Sequence, residues 1–394
     1  MFETLQPAPP DKILSLMGLY RDDPRPHKID LGVGVYRDVE GRTPIMAAVR
    51  EAERRLHDLE TTKSYLGPGG DPGYCDAIAQ LVFADQAPRA RLRSAQTPGG
   101  AGALRILCGL IARARPAATV WVPVPTWVNH LAILADAGLP VRTHRYLDAA
   151  GHGVAFDAMM AELQGVAAGD IVLLHGCCHN PGGASLDRGQ WDAVADLLER
   201  RDAIPFVDLA YQGFGLGLDD DAYAVRLFAR RLPEMVVAVS SSKNFGIYRE
   251  RTGAAFVLAA GAPSADAAHS HLLVAARNSY SMPPDHGAAL VRIVWNDAAL
   301  RAQWLAELEA MRTHVVGVRR ALAEAFAAAA GSRRYDFIAR HHGMFSLLGT
   351  RPEQVRRLRD EHAVYLVEDG RINLAGLRPD QIGAFVDAVL AVTR

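Results

Sequence analysis

The sequence predicts an α/β fold in which a mostly parallel sheet is covered by helices on both faces and is followed by a smaller α+β unit. From about residue 45, short apolar runs rich in β-branched residues alternate with helical patterns, as in parallel sheets buried on both faces. An unusually long helical region then runs from residue 297 to Ala330 and suggests a connector between domains. The length of 394 residues also favours two domains.

The predicted elements follow in order along the chain. Pro7, Pro9 and Pro10 oppose helix formation near the N-terminus, and Asp11 is then a suitable cap for a short helix. Helices are predicted near residues 44–60, 71–85 and 100–114. Strands are predicted at residues 119–124, 141–146, 170–175, 204–209, 235–240 and 254–259.

Composition and charge exclude several classes of protein. Hydrophobic residues make up 49% of the chain and charged residues 22%, with a formal net charge of -1, which gives no reason to expect nucleic acid or an anionic membrane as a partner. No apolar run approaches the ~20 residues of a membrane span, and no signal peptide is recognised. Four cysteines, two of them adjacent, do not form a disulfide framework. A soluble cytoplasmic protein is therefore expected.

Chemically capable side chains follow three of the predicted strands at the point where each strand ends. In an open parallel sheet, ligands bind beyond the carboxyl ends of the strands, so these side chains are expected to converge. After the strands at 170–175, 204–209 and 235–240, respectively, they are Asn180, then Asp208 and Tyr211, then Ser240, Ser242 and Lys243.

This combination of residues suits pyridoxal phosphate. The cofactor needs a lysine for covalent attachment, an acid beside its ring nitrogen and donors for its phosphate. Considered alone, Asp208 is typical of a helix cap or an ion-pair partner, and Lys243 is typical of a solvated loop residue. Their conjunction at one sheet edge favours the cofactor.

A glycine-rich turn at residues 96–105 opens a helix and offers free backbone N–H groups to an anion. A tight turn that uses glycine only for its backbone freedom is an equally good local explanation. A nucleotide-dependent dehydrogenase is the rival function. The glycine spacing is not that of a dinucleotide site, and no acidic residue closes the next strand where a ribose contact is expected.

The segment His175–His179 contains two histidines and two cysteines, which could suggest a metal. Adjacent side chains on an extended segment point to opposite faces, so His175, Cys177, Cys178 and His179 are not expected to ligate one ion all together. A second cysteine pair at zinc spacing is also missing from the sequence. We therefore expect packing roles here and no metal.

Ten motifs, spread in order over essentially the whole chain, are similar to those of one family. The chain resembles the class I aminotransferases of fold type I, in particular the aspartate and aromatic amino-acid aminotransferases. The motifs are L-G-V-G-V-Y-R-D (31–38), E-T-T-K-S-Y-L-G (60–67), Q-T-P-G-G-A-G-A-L-R (96–105), P-T-W-V-N-H (125–130), H-G-C-C-H-N-P-G-G (175–183), D-L-A-Y-Q-G-F (208–214), S-S-S-K-N-F-G-I-Y-R-E-R-T-G (240–253), Y-S-M-P-P-D-H-G-A (280–288), G-M-F-S (343–346) and G-R-I-N-L-A-G-L (370–377).

The resemblance implies pyridoxal 5'-phosphate as the cofactor. Lys243 would hold it as a Schiff base and shuttle protons, and Asp208, supported by His130, would pair with the ring nitrogen. Tyr211, the third catalytic residue, would bond the ring hydroxyl oxygen together with Asn180. The cofactor-binding set that it implies is Tyr65, Gly100, Ala101, Trp127, Asn180, Asp208, Tyr211, Ser240, Ser242, Lys243 and Arg251.

For the substrate, the resemblance implies that Arg371 clamps the α-carboxylate and that Arg277 binds a distal carboxylate. Gly34, Trp127 and Asn180 would complete the substrate site. Tyr65 and Arg277 have family roles only across a subunit interface, so a homodimer with shared active sites is expected. Amino acids and 2-oxo acids would be the substrates of a ping-pong reaction, with 2-oxoglutarate as the expected acceptor.

The same resemblance divides the chain into four segments. An N-terminal arm and part of the small domain would occupy 1–44, the large cofactor-binding domain 45–297, a connecting helix 298–334, and the rest of the small domain 335–394. The small domain is thus built from both chain ends.

Three positions depart from the family pattern. Ala101 stands where a threonine is common, Gly182 replaces the threonine of N-P-T-G, and Met282 replaces a frequent asparagine. The change at Ala101 removes a hydroxyl donor from the phosphate turn, and Met282 favours a roomier site for both aromatic and dicarboxylic amino acids. A fold type I enzyme with lyase or oxidase chemistry is the alternative function.

Overall fold

The computed structural model describes residues 1–7 and 12–393, so the cap predicted at Asp11 lies outside the described residues. The strands are β1 Ile29–Asp30, β2 Leu92–Pro98, β3 Val120–Val124, β4 Val141–Arg145, β5 Ile171–His175, β6 Ile204–Leu209, β7 Met235–Ser240, β8 Thr252–Leu258, β9 Phe345–Leu347, β10 Val364–Tyr365 and β11 Arg371–Asn373. The helices are α1 Lys12–Asp22, α2 Ala47–Leu59, α3 Pro72–Phe83, α4 Gly99–Ala114, α5 Val128–Asp136, α6 Phe156–Leu163, α7 Arg188–Arg201, α8 Leu218–Asp221, α9 Tyr223–Arg231, α10 Ala262–Ser279, α11 His286–Asn296, α12 Ala298–Ala330, α13 Phe337–Arg340, α14 Pro352–His362 and α15 Ile382–Thr393.

The main sheet has seven strands in the order β2-β8-β7-β6-β5-β3-β4. Strand β8 runs antiparallel to both of its neighbours, and the remaining pairs are parallel. Strands β5, β7 and β8 are buried along their whole length, which explains their near-continuous apolar sequences. The predicted fold class is confirmed.

Strand β2 was not among the predicted strands. It lies at the edge of the sheet and pairs only with β8, through seven residues from Leu92 to Pro98. The first three residues of the strand are only partly buried, so it lacks the apolar run that marked the central strands. Proline at its end is compatible with an edge strand, which leaves backbone groups unpaired.

A second, smaller core joins the two chain ends. Strand β1 pairs in parallel with β10, and β9 pairs with β11. Helix α12 contributes to both cores, because Trp304 packs in the large one and Phe326 in the small one. The segment boundaries at 44, 297 and 334 stay predictions.

Helix α12 has capping residues at both ends, although none was recognised in the sequence. The Asp297 carboxylate accepts hydrogen bonds from the N–H groups of Ala299 and Leu300, and Gly331 ends the helix with a φ of +60°. Among the described helices, α12 included, none combines the length and hydropathy that a bilayer span requires.

Candidate active site

A cavity of about 350 Å³ opens at the carboxyl edge of the main sheet, beside the N-terminus of α4. Parallel strands β5, β6 and β7 all end at this edge, which is why residues distant in sequence meet there. Twelve residues predicted from the sequence line this one cavity: Gly34, Gly100, Ala101, Trp127, Asn180, Asp208, Tyr211, Ser240, Ser242, Lys243, Arg251 and Arg371.

Two predicted site residues, Tyr65 and Arg277, do not line the cavity. Tyr65 is 90% exposed, and the exposed Arg277 guanidinium donates a hydrogen bond to the Ser281 hydroxyl. Within a single chain both side chains therefore face outward, and their roles across a subunit interface stay predictions.

Lys243 follows the end of β7 and projects its amine into the cavity. Its Nζ lies 4.8 Å from the centroid of the Tyr211 ring. Burial lowers the pKa of Lys243 to about 8, against the opposing negative charge of Asp208. The amine is therefore available in its neutral, nucleophilic form closer to physiological pH than an exposed lysine.

Asp208 is the first member of a hydrogen-bonded chain that continues through His130 and Thr126 to His175. Its Oδ2 is 3.0 Å from Nε2 of His130, whose Nδ1 is 2.7 Å from Oγ1 of Thr126. The same threonine oxygen is 2.9 Å from Nε2 of His175. Because the threonine has one hydroxyl hydrogen, it can donate to only one of the two rings.

This chain of contacts keeps Asp208 ionised. Burial acts to raise the pKa of the carboxyl group, but the hydrogen bond and charge of His130 outweigh it and leave the pKa below its usual value. Burial lowers the pKa of His175 to about 3, so that ring is neutral. Among the described residues no donor reaches Oδ1 of Asp208, which leaves a buried anionic oxygen open to a cationic ligand atom.

Asn180 links a phenol to a guanidinium at the other side of the cavity. Its Nδ2 donates to the hydroxyl oxygen of Tyr211 at 3.2 Å, and its Oδ1 accepts a long hydrogen bond of 3.4 Å from Nη1 of Arg371. Nη2 of Arg371 donates to the carbonyl oxygen of Gly32 at 2.8 Å, whereas its buried Nε has no partner in the part of the chain that the structure describes. Arg371 thus keeps unused donors for an anion.

The Phe345 ring covers the Arg371 guanidinium, whose carbon lies 4.6 Å from the ring centroid. Gly34 allows this arrangement, because a Cβ at that position would lie 2.9 Å from Cζ of Phe345. The ring also meets Tyr211 edge-on, with 5.9 Å between the centroids. The anion-binding end of the cavity is therefore walled by an aromatic ring.

The N-terminus of α4 forms a cationic cradle with Arg251. Gly99 has a φ of +72°, and a Cβ there would lie 2.5 Å from Nη2 of Arg251, so only glycine lets the guanidinium approach. Nη1 of Arg251 reaches Oγ of Ser242 at 3.4 Å, and Gly100 packs against Ser240. Free helix N–H groups, a cation and two hydroxyls fit a phosphate group.

Six further residues line the cavity without having been assigned a role from the sequence. Phe345 and Tyr248 lie inside motifs that carried the resemblance, which was the only available signal, because neither residue type is diagnostic. The hydroxyl oxygen of Tyr248 accepts a hydrogen bond of 3.0 Å from the N–H of Tyr36. The six residues are Ile13, Leu104, His175, Ala210, Tyr248 and Phe345.

The divergence expected for the adjacent cysteines is wrong. Cys178 has a φ of +50°, so the segment is not extended there, and the two sulfur atoms and a carboxylate oxygen of Asp221 lie within 4.8 Å of one another. That carboxylate already accepts hydrogen bonds from the N–H groups of Gly213, Gly215 and Leu216. Asp221 therefore organises its own loop, and neither His175 nor His179 belongs to this group.

Comparison with known proteins agrees with this geometry. The family model described as aminotransferase class I and II matches residues 26–389. The chain belongs to this aminotransferase family. As an aminotransferase, it moves amino groups between amino acids and 2-oxo acids.

Relatives of this aminotransferase match it over its full length. The chain is 48% identical to the aromatic-amino-acid aminotransferase of Paracoccus denitrificans over 392 residues, covering 100% of both chains. It is 44% identical to the aspartate aminotransferase of Salmonella typhi, again with 100% of both covered. A solved aromatic-amino-acid aminotransferase from Burkholderia pseudomallei, covalently bound to pyridoxal phosphate, superposes with a TM-score of 0.96 at 39% identity over 100% of both chains.

Proposed function

We propose that this aminotransferase uses pyridoxal phosphate to transfer the amino group of aromatic and dicarboxylic L-amino acids to 2-oxoglutarate. The observation that carries the proposal is one cavity that holds a buried lysine, an ionised carboxylate and a phosphate cradle. The Burkholderia pseudomallei structure, which contains the covalently bound cofactor, supports it.

Each end of the cofactor finds a matching group. When bound, pyridoxal phosphate supplies an electron-withdrawing ring that stabilises negative charge at the substrate α-carbon. Asp208, ionised beside His130, would hold the proton on the ring nitrogen, and Trp127 would stack on the ring. Gly100, Ala101, Ser240, Ser242 and Arg251, all of which line the cavity, would hold the phosphate.

Lys243 has two tasks in this proposal. It would hold the cofactor covalently between turnovers, and it would remove the proton from the substrate α-carbon and deliver it to the cofactor during them. A lysine whose pKa is about 8 can exchange a proton near neutral pH in either direction, which suits a general acid and base. Tyr211 and Asn180, already hydrogen-bonded to each other at 3.2 Å, would both bond the ring hydroxyl oxygen.

Arg371 binds the α-carboxylate that every substrate carries. Its partnerless Nε and the weak 3.4 Å contact of Nη1 leave donors for both carboxylate oxygens. Phe345 excludes water from one face of the guanidinium and so strengthens the ion pair. Trp127, Asn180 and the backbone of Gly34 complete the substrate site.

Specificity for the side chain depends on the partner subunit of a homodimer in the cytoplasm. Tyr65 would reach the partner's phosphate and Arg277 would bind a distal carboxylate there, which accounts for their exposure in one chain. Met282, close to Leu66, is a pliable neighbour that admits larger side chains. Relatives named for aromatic substrates and for aspartate both match the chain, which supports a broad site.

The test is a set of half-reactions with the purified holoenzyme. Aspartate, glutamate, phenylalanine and tyrosine are each mixed with the enzyme in single turnover, and the 2-oxo acid formed is measured. Equimolar 2-oxo acid without ammonia is expected, followed by recovery with 2-oxoglutarate. Ammonia or hydrogen peroxide release would instead indicate lyase or oxidase chemistry, and Lys243→Ala must abolish turnover while the fold persists.

A further inference from the structure

Gln96 is a fully buried residue of the edge strand β2 that the reaction does not use. Three of its polar groups bond to two loops outside the sheet. Its backbone N–H donates to the carbonyl oxygen of Gly69 at 2.9 Å, and its Oε1 accepts the N–H of Asp71 at 2.8 Å. Its Nε2 donates to the carbonyl oxygen of Pro284 at 2.7 Å. One amide side chain therefore joins the loop before α3 to the loop before α11.

The first loop fits tightly against this side chain. Gly70 has a φ of +71°, and a Cβ there would lie 2.3 Å from Oε1 of Gln96. Asp71, the next residue, caps α3 through the N–H of Tyr74 and forms an ion pair of 2.6 Å with Arg292 of α11. The loop is thus fixed at its C-terminal end, close to Gln96.

The two loops also contact each other farther out. The N–H of Leu66 lies 3.0 Å from the sulfur atom of Met282. Tyr65 precedes Leu66, and Ser281, which accepts the hydrogen bond of Arg277, precedes Met282. The two outward-facing residues therefore belong to one connected unit, with the Gln96 amide at its base.

The position of Gln96 along its own strand adds a second connection. Strand β2 ends at Pro98 and leads directly into the cradle at Gly99 and Gly100. Gln96 consequently lies between the phosphate cradle of its own chain and the surface that the chain would offer to its partner.

We propose that Gln96 is a positioning residue that orients Tyr65 and Arg277 for the active site of the partner subunit. The inference rests on the shared-site homodimer of the proposed function. Without the amide, the buried N–H of Asp71 loses its acceptor and the carbonyl of the exposed Pro284 loses its donor, so the link between the two loops is broken and the first loop shifts to satisfy the N–H of Asp71. The side chain acts through these loops and touches no substrate.

Hybrid dimers test the proposal. A subunit with Lys243→Ala has no working site, so its hybrid with an intact subunit has one working site, which belongs to the intact subunit. The Lys243→Ala subunit supplies Tyr65 and Arg277 to that site. Gln96→Leu is placed either on that subunit, in trans to the working site, or on the intact subunit, in cis. In trans we expect the KM for aspartate to rise about tenfold, the scale of one lost buried hydrogen bond, with a smaller change for phenylalanine. In cis we expect changes below about twofold.

Gln212 supplies a matched control. It is also a glutamine, 1% exposed, and its Nε2 donates to the carbonyl oxygens of Leu81 and Leu218, which lie outside both loops. Gln212→Leu should lower the melting temperature without an excess effect in trans. Gln96→Met, which has a similar length but neither the acceptor nor the donor, should give the same trans effect and serves if Gln96→Leu does not fold.

Arg277→Leu in trans distinguishes a failure of the positioning role of Gln96 from a failure of the shared active site. If it raises the KM for aspartate while Gln96→Leu acts equally in cis and trans, the positioning role is overturned and the shared site stands. If Arg277→Leu has no effect in trans, the shared site itself is overturned. A trans-specific loss in both variants supports the proposal.

Discussion

Arg319 and Arg371 are both buried arginines that form no ion pair with a carboxylate among the described residues, yet their hydrogen bonding differs. Arg319, on α12, is 1% exposed and donates to four carbonyl oxygens and one hydroxyl, so all of its nitrogen atoms are occupied. Arg371 is 6% exposed, makes one short and one long hydrogen bond, and leaves Nε without a partner. The first fixes the loop of residues 338–346, and the second remains open to an anion.

Two buried aspartates repeat the contrast. Asp221 accepts three backbone N–H groups at 2.8 to 2.9 Å, so both of its oxygens are used. Asp208 accepts from His130 through one oxygen only and faces the cavity. A buried charge whose bonding capacity is filled by its own fold stabilises structure, whereas one with spare capacity needs a ligand to complete it.

The largest expected effect comes from exchanging charge for amide at the two aspartates. Asp208→Asn should retain the fold and slow proton abstraction by about 10²–10⁴-fold, because an amide cannot keep the ring nitrogen protonated. Asp221→Asn should instead lower the free energy of unfolding by about 1–3 kcal/mol with little change in kcat. Single-turnover rates and urea unfolding of both variants measure this. An unchanged rate in Asp208→Asn would show that the free oxygen of Asp208 does not serve the reaction.

The two arginines should separate in the same way. Arg371→Leu should lower kcat/KM for every amino donor, which corresponds to a loss of about 2–5 kcal/mol in transition-state binding, without loss of stability. Arg319→Met removes five donors from buried acceptors and should lower the free energy of unfolding by about 3–5 kcal/mol. Steady-state kinetics and denaturant unfolding are compared for both variants. Equal loss of stability in the two would show that spare bonding capacity does not distinguish them.

The reactivity of the buried Lys243 amine should depend on pH. Burial lowers its pKa to about 8, and only the neutral amine can attack the cofactor aldehyde. The rate at which the apoenzyme captures pyridoxal phosphate should therefore rise as the pH increases toward 8 and level off above it. The absorbance change near ~400 nm after mixing follows this reaction, because the aldehyde and its lysine adduct absorb differently. A midpoint at the ordinary lysine pKa near ~10.4 would contradict the effect of burial.

The smallest effect is expected at Ala101 in the phosphate cradle. Ala101→Thr offers one more hydroxyl donor where the helix N-terminus and Arg251 already provide several, so pyridoxal phosphate should bind tighter by about 1 kcal/mol. Equilibrium dialysis of the apoenzyme gives the dissociation constant, with Ala101→Val as the matched variant that adds bulk but no donor. Equal changes in both variants would assign the effect to packing.

The central strands and the placement of two catalytic residues could be predicted from the sequence. The apolar runs at 204–209 and 235–240 became β6 and β7, because strands buried on both faces must be apolar throughout. The order of elements also placed Asp208 and Lys243 at one sheet edge, since parallel strands end together. These features follow from periodicity and topology, which a sequence carries directly.

Other features were decided only by tertiary structure. Strand β2 exists because β8 lies beside it, and Cys177 and Cys178 turn toward Asp221 because of a left-handed backbone at Cys178. Residue type alone does not mark Arg319 as structural and Arg371 as a binding group, and only the family motif at residues 370–377 singled out Arg371. The difference is the number of carbonyl oxygens that the fold brings within hydrogen-bonding distance, and distant segments of the chain supply those oxygens.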